Sequence, residues 1–119
     1  MKFVYTPQDE CWAARNNGVK IVFDVKPDEA QTAFAERLAD CYREAFPRIC
    51  EYLFAQEDFQ ASFIPDPAAL KLDFICFFGG RTELWYRYYL PYKDRRVDYA
   101  MDVYFKGCFE EFTGIFIDC

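Results

Sequence analysis

Hydrophobic and polar positions alternate with a period of two along three stretches in the second half of the chain, residues 70–78, 82–90 and 97–105. This alternation is typical of β-strands, because residues i and i+2 lie on the same face of a strand. The two breaks, residues 79–81 and 91–96, contain glycine, proline and charged residues of the kinds found in turns. The pattern therefore predicts three antiparallel strands joined by hairpins, at the centre of a β-meander.

The turns set a register that sorts the residues of these strands into two faces. Placing Phe78 opposite Thr82, and Leu90 opposite Val97, keeps each face consistent across the three strands. The first face, predicted to lie in the core, consists of Leu72, Phe74, Cys76, Phe78, Leu84, Tyr86, Tyr88, Leu90, Val97, Tyr99, Met101, Val103 and Phe105. The second face mixes aromatic and charged residues: Lys71, Asp73, Ile75, Phe77, Glu83, Trp85, Arg87, Tyr89, Asp98, Ala100, Asp102 and Tyr104.

Further strands are predicted at both ends of the chain. Residues 19–25 alternate after an Asn-Asn-Gly turn, with residues 11–15 as the hairpin partner and residues 1–6 as another short strand. A final strand over residues 108–117 completes a four-stranded meander. Its apolar residues fall on both parities, which predicts a β-bulge near Gly114.

A long amphipathic helix is predicted between the N-terminal strands and the meander. Pro27 suits the first helical position, and Asp28 and Glu29 suit the first turn, where the helix dipole favours acids. Apolar residues then recur at helical spacing to about residue 56. Pro47 is expected to kink or restart this helix, and residues 58–69 are expected to form a linker.

These elements predict one α+β domain for the 119 residues. The predicted architecture is a single antiparallel sheet, built from an N-terminal strand or hairpin and the four-stranded meander. One long or kinked amphipathic helix packs on one face of this sheet.

The charge of the chain bears on the class of partner. The formal net charge is -6, whereas binding to nucleic acid depends on a basic surface that neutralises phosphates. We therefore expect no nucleic-acid partner, and an acidic surface favours a basic protein instead.

The six cysteines are expected to be free thiols in the cytoplasm. No apolar run is long enough for a signal peptide or a membrane span, so neither export nor membrane association is predicted. Cys41 and Cys50 lie on one predicted helix, too far apart for a disulfide. The chain has no histidine and no C-x-x-C spacing, so neither a metal site nor a cofactor is expected.

The sequence also argues against an enzyme. Without histidine there is no Ser-His-Asp triad and no Cys-His pair, and no glycine-rich phosphate-binding motif is present. Asp98 and Asp102 share a strand face but lie roughly 13 Å apart, which is too far for a pair of glycosidase carboxylates. Cys76 is predicted on the core face, which argues against a nucleophilic role.

The favoured hypothesis is a small acidic protein-binding module, such as an inhibitor or an immunity-type protein. It would dock a basic partner through the second face of the sheet or through the acidic side of the helix. Aromatic residues and arginine dominate binding hot spots, and Trp85 is predicted at the centre of the second face, between Ile75 and Asp102. The candidate partner-binding residues are Trp85, Arg87, Tyr89, Asp98, Asp102 and Tyr104.

Two alternatives remain open at this point. The second face could be covered by the N-terminal segment or by a second copy in a homodimer. The chain could also be a small-ligand-binding domain, with an aromatic pocket between helix and sheet into which Tyr86, Tyr88 and Tyr99 carry their hydroxyl groups.

Overall fold

The computed structural model describes residues 1–92 and 95–118; Lys93 and Asp94 of the second predicted turn, and Cys119, lie outside the described residues. The strands are β1 (Val4–Thr6), β2 (Cys11–Asn16), β3 (Val19–Phe23), β4 (Leu70–Phe78), β5 (Arg81–Tyr92), β6 (Arg95–Lys106) and β7 (Glu111–Asp118). The helices are α1 (Glu29–Phe54), α2 (Glu57–Gln60) and a 3-10 helix at Pro67–Ala69. The α+β class, the N-terminal hairpin and the four-stranded meander are confirmed, and the expected linker contains two short helices.

The seven strands form one sheet in which spatial order follows chain order. Neighbouring strands are antiparallel except β3 and β4, which run parallel with Ile21 opposite Ile75 and Phe23 opposite Phe77. The prediction of a wholly antiparallel sheet is therefore wrong at this one place. α1 lies between these two strands in the chain and carries it back to the end of the sheet where β3 began, so β4 runs in the direction of β3.

α1 is one continuous helix of 26 residues. Asp28 is the N-cap of this helix. The sequence pattern predicts it in the first turn, one position further along. Its carboxylate accepts from the Gln31 backbone N–H at 2.7 Å, and the Gln31 side chain accepts from the Asp28 N–H at 2.9 Å, which completes a capping box. Pro47 lies inside the helix and does not end it.

The apolar side of α1 packs on one face of the sheet and forms the main core. The largest fully buried side chains are Tyr86, Tyr88, Phe23, Phe59, Phe109, Ile21, Leu38, Ile49, Leu53, Ile75, Leu84 and Met101. They come from α1, from α2, from the turn after β6, and from the strands β3, β4, β5 and β6. The core therefore holds the N-terminal strands and the meander together.

The register between β5 and β6 follows the prediction, with Leu90 opposite Val97 and Trp85 opposite Asp102. The bulge predicted in β7 is also present: Tyr104 pairs with Gly114 and the next residue of β6 pairs with Phe112, so the residue between these partners is extra.

The face assignment for the second half of β4 is wrong. A two-residue turn at Gly79 and Gly80 places Phe78 opposite Arg81 rather than Thr82. A bulge at Asp73 then shifts the register between Leu72 and Phe74. Because one extra residue reverses the parity of a strand, Phe74, Cys76 and Phe78 lie on the face away from α1, and Ile75 and Phe77 lie in the core.

We call the sheet face opposite α1 the outer face. In the meander it consists of Lys71, Phe74, Cys76, Phe78, Glu83, Trp85, Arg87, Tyr89, Asp98, Ala100, Asp102 and Tyr104. The N-terminal segment does not cover this face, because β1 extends the sheet at the edge beside β2. No helix in the described part of the chain has the length and apolar character needed to cross a membrane.

Candidate functional site

β5 and β6 place all six candidate binding residues on the outer face, because these residues occupy alternate positions on two paired strands. Trp85, Arg87, Asp98 and Asp102 line one groove of about 540 Å³. Tyr89 lies beside this groove, opposite Asp98 in the register. Tyr104 pairs with Glu83 and lines a second groove of about 310 Å³ near the β4–β5 turn. The structure thus brings four of the six together, with the other two alongside.

Trp85 is held in a fixed orientation between Phe74 and Asp102. The prediction that Ile75 is the neighbour of Trp85 on β4 is wrong, because the register between β4 and β5 is shifted by one residue and places Phe74 there. The Phe74 and Trp85 rings stack with their centroids 4.9 Å apart, and the indole Nε1 donates a hydrogen bond of 2.8 Å to Glu83 Oε2. Trp85 remains half-buried, so part of the indole is available to a partner.

An apolar cluster lies beside Trp85 and was not predicted. Its buried members are Cys11, Val22 and Cys76, and the partly buried residues packed against them are Ala13, Phe74, Phe78 and Trp85. The cluster spans the parallel pair of strands, so finding it from the sequence required knowledge of that non-local pairing. The signal in the sequence was that Ala13 and Val22, which pair across β2 and β3, are both apolar and belong to this cluster.

Glu83 is the buried carboxylate of the outer face, with 7% of its surface exposed. Besides the Trp85 indole, the Cys76 thiol donates to Glu83 Oε2 at 3.6 Å. Burial raises the pKa of Cys76 well above its ordinary value, and Glu83 contributes in the same direction. Cys76 lies on the outer face, contrary to the prediction, but it is a buried neutral thiol and not a nucleophile.

Arg87 links β4 to β6 across the outer face. Its Nε donates to Asp73 Oδ2 at 2.8 Å, and its Nη1 donates to Asp98 Oδ2 at 2.9 Å. Asp73 reaches Arg87 from the bulge, although the residue opposite Arg87 in the register is Lys71. Hydrogen bonds to both carboxylates raise the pKa of Arg87 further above its already high value, so the guanidinium is permanently charged and committed to two partners.

Asp102 has a different environment from the carboxylates that bind Arg87. Burial raises the pKa of the Asp102 carboxyl from 3.8 to about 6, and the nearby carboxylates of Glu83 and Asp118 add to this shift. Among the side chains that the structure describes, no cation forms an ion pair with Asp102 or Asp118.

The groove consequently carries an excess of negative charge. Its described lining contains the four carboxylates Asp73, Asp98, Asp102 and Asp118 and the one guanidinium of Arg87. Asp118 was not among the predicted site residues, because it reaches the groove through the pairing of β7 with β6, where it lies opposite Ala100. In the described part of the chain, no group of three or more histidine, cysteine or acidic side chains is arranged to hold a metal ion.

Two of the three tyrosine hydroxyls predicted to point between helix and sheet have protein partners, and the third tyrosine has a ring contact. Tyr86 shares a hydrogen bond of 2.7 Å with the Tyr42 hydroxyl, and the Tyr88 hydroxyl donates to the Ile64 carbonyl at 2.5 Å. The Tyr99 ring packs edge-on against Phe63, with centroids 5.1 Å apart. These contacts are the structural use of buried tyrosine.

No protein-family model, curated protein or solved structure matches this chain.

Proposed function

We propose that this protein is a non-catalytic binding module whose outer face docks a basic segment of a partner protein. The observation that carries the proposal is the position of Trp85. Its half-buried indole lies between an apolar cluster and a groove in which four carboxylates face one guanidinium.

The fixed indole supplies the hydrophobic part of the docking surface. A binding hot spot is typically an aromatic residue that loses its remaining contact with water when the partner docks. Trp85 is already oriented by Phe74 and Glu83, so little side-chain freedom is lost on binding. Phe78 and Ala13 extend the apolar contact area on the side of the N-terminal strands.

The groove supplies the charge that selects the partner. Arg87 binds both Asp73 and Asp98 and offsets one of their two negative charges. Asp102 and Asp118 form no ion pair with a described side chain, which leaves them to attract a cation. A lysine or arginine side chain of the partner can bind these two carboxylates while its aliphatic stem packs on the face of Trp85. Opposite charges on the two surfaces would also speed association.

The same charges argue against a second copy of this chain as the occupant. Each copy has a net charge of -6, and a symmetric dimer through the outer face would place two acidic grooves against each other. Juxtaposed like charges oppose association. A basic protein is therefore the favoured occupant, and an inhibitor or immunity-type protein, which covers a basic functional surface, is the form of this function that we propose first.

Selection of random peptides displayed on phage, using the folded protein as bait, tests the proposal directly. We expect the selected peptides to combine lysine or arginine with an apolar residue, and their affinity to fall with added salt because screening weakens the charge attraction. Binding should be weakened about 30-fold in Trp85→Ala, and it should also be weakened in the Asp102→Asn, Asp118→Asn double variant.

Matched controls lie off the outer face. Trp12→Ala removes the other tryptophan, which packs against the main core. Glu44→Gln combined with Asp58→Asn removes two exposed acids from α1 and α2. These variants should bind the selected peptides as the wild type does. Selected peptides without basic residues, or equal binding by the Trp85 and Trp12 variants, would overturn the proposal.

A further inference from the structure

The turn between β6 and β7 contacts α1, on the side of the sheet away from the outer face. Arg48 Nη1 donates to the Phe109 carbonyl at 2.9 Å, and the Tyr42 ring packs on the buried Phe109 ring with centroids 6.2 Å apart. Phe109 has a φ of 58°, which turns the chain sharply beside the helix. α1 and this turn are therefore held in a defined relative position.

A pair of cysteine thiols lies at this junction. Cys41 belongs to α1 and Cys108 belongs to the turn, and each immediately precedes a residue of the Tyr42–Phe109 ring contact. The Cys41 thiol interacts with the Cys108 thiol. Both are free and half-buried, whereas Cys11, Cys50 and Cys76 are free and buried. This pair could not be predicted from the sequence, because the two cysteines belong to elements that are distant along the chain.

We propose that Cys41 and Cys108 form a reversible disulfide site, in which a peroxide or a small-molecule disulfide links α1 to the β6–β7 turn. With hydrogen peroxide, one thiolate attacks an oxygen atom, the O–O bond breaks, and a sulfenic acid and one water form. The second thiol then attacks the sulfenic sulfur, the S–S bond forms, and a second water leaves. The two thiols lose two electrons and two protons, and the peroxide is reduced to two waters.

The charged groups around the pair determine how its rate depends on pH. Burial raises the pKa of Cys108, and the adjacent Cys41 thiol raises it further. Glu110, in the turn, acts in the same direction, whereas Arg37, on α1, favours the thiolate. Because the thiolate is the reactive form, disulfide formation should accelerate as the pH rises from about 7 to about 9.

Oxidation of the folded wild-type protein with dilute hydrogen peroxide provides the test. We expect the intact mass to fall by about 2 Da, and peptide mapping without reduction to recover a peptide from α1 linked through Cys41 to a peptide containing Cys108. The oxidised protein should unfold at a higher temperature, because the link restricts the unfolded chain. Dithiothreitol should restore both the mass and the original unfolding temperature.

Variants separate this pair from the other cysteines. Cys41→Ser and Cys108→Ser should each abolish the mass loss, and Cys11→Ser should retain it. The map of the wild-type protein settles the question even if a variant fails to fold. A link between any other two cysteines, oxidation of a single cysteine to the sulfinic acid, or no reversible mass loss would overturn the proposal.

Discussion

The Trp85 indole donates its hydrogen bond to the carboxylate of Glu83, two positions earlier on the same strand. The two side chains lie on one face of β5, and each determines the environment of the other. Glu83 is a buried acid whose side chain accepts from the indole, and the indole keeps its N–H bonded while part of its surface stays accessible. This pair connects the stability of the outer face to its proposed binding role.

Removing the Glu83 carboxylate should cost stability. In Glu83→Ala the Trp85 N–H and the Cys76 thiol lose their acceptor, and an unsatisfied buried donor costs about 1–3 kcal/mol. Glu83→Gln keeps a carbonyl oxygen at this position and should cost less. Urea unfolding of both variants measures the difference, and an Ala variant as stable as the Gln variant would contradict the role assigned to the hydrogen bond.

Asp102→Asn should stabilise the protein at pH 7 and remove part of its pH dependence. The pKa of Asp102 rises from 3.8 in the unfolded chain to about 6 in the folded protein, so the folded state binds the proton more tightly. Stability therefore falls as the pH rises from about 4 to about 6, and the cost is fully present above this window.

The expected gain of Asp102→Asn at pH 7 is about 1 kcal/mol, because Asp102 is only half-buried and solvent screens much of its repulsion. At pH 4 the wild type and the variant should have nearly equal stability. Chemical unfolding at several pH values checks this, with Asp58→Asn as the matched control. If the stability advantage of Asp102→Asn over the wild type shrinks as the pH rises from 4 to 7, the raised pKa of Asp102 is contradicted.

Trp85→Ala should weaken binding of a basic peptide by about 2 kcal/mol, which is about 30-fold in Kd. The variant also loses the stacking on Phe74 and the hydrogen bond to Glu83, so its stability should fall as well. Titration calorimetry below the unfolding temperature, corrected for the folded fraction, separates the two effects. Unchanged affinity per folded molecule would assign Trp85 to the packing of the sheet alone.

The bulge at Asp73 predicts a reversal of sensitivity between neighbouring residues of β4. Ile75 is fully buried under α1, so Ile75→Ala should cost about 2–5 kcal/mol. Phe74 is half-buried on the outer face, and Phe74→Ala should cost about 1–2 kcal/mol despite the larger side chain removed. The uninterrupted alternation read from the sequence predicts the reverse order, so denaturant unfolding of the two variants tests the parity of this strand.

The alternation pattern predicted β5 and β6 well because their two parities differ in polarity. Tyr86 and Tyr88 lie on either side of Arg87, and Met101 lies next to Asp102, so only one register keeps these three residues together on a face without charges. Residues 74–78 are apolar on both parities, so the pattern there contains no information about a one-residue shift. The bulge at Asp73 was invisible for this reason, whereas the bulge near Gly114 was marked by a break in the alternation.

The candidate site was predicted as far as it depends on neighbours within one hairpin. Trp85, Arg87, Asp98 and Asp102 share the groove because the β5–β6 register follows from the sequence. Asp118 and the apolar cluster around Val22 depend on the pairing of strands that the sequence did not specify. The contact between Cys41 and Cys108 likewise depends on how a helix docks against a distant turn.

The parallel contact between β3 and β4 implies an order of assembly. β4 to β7 are joined by short turns, so their pairing closes small loops and can form early. Ile21 reaches Ile75 only after the chain has crossed the sheet through α1. We therefore expect β1, β2 and β3 to join a meander that is already formed. The cluster of Val22 and Cys76 spans this junction and would be completed in that last step, so the apolar border of Trp85 would be complete only in a fully folded molecule.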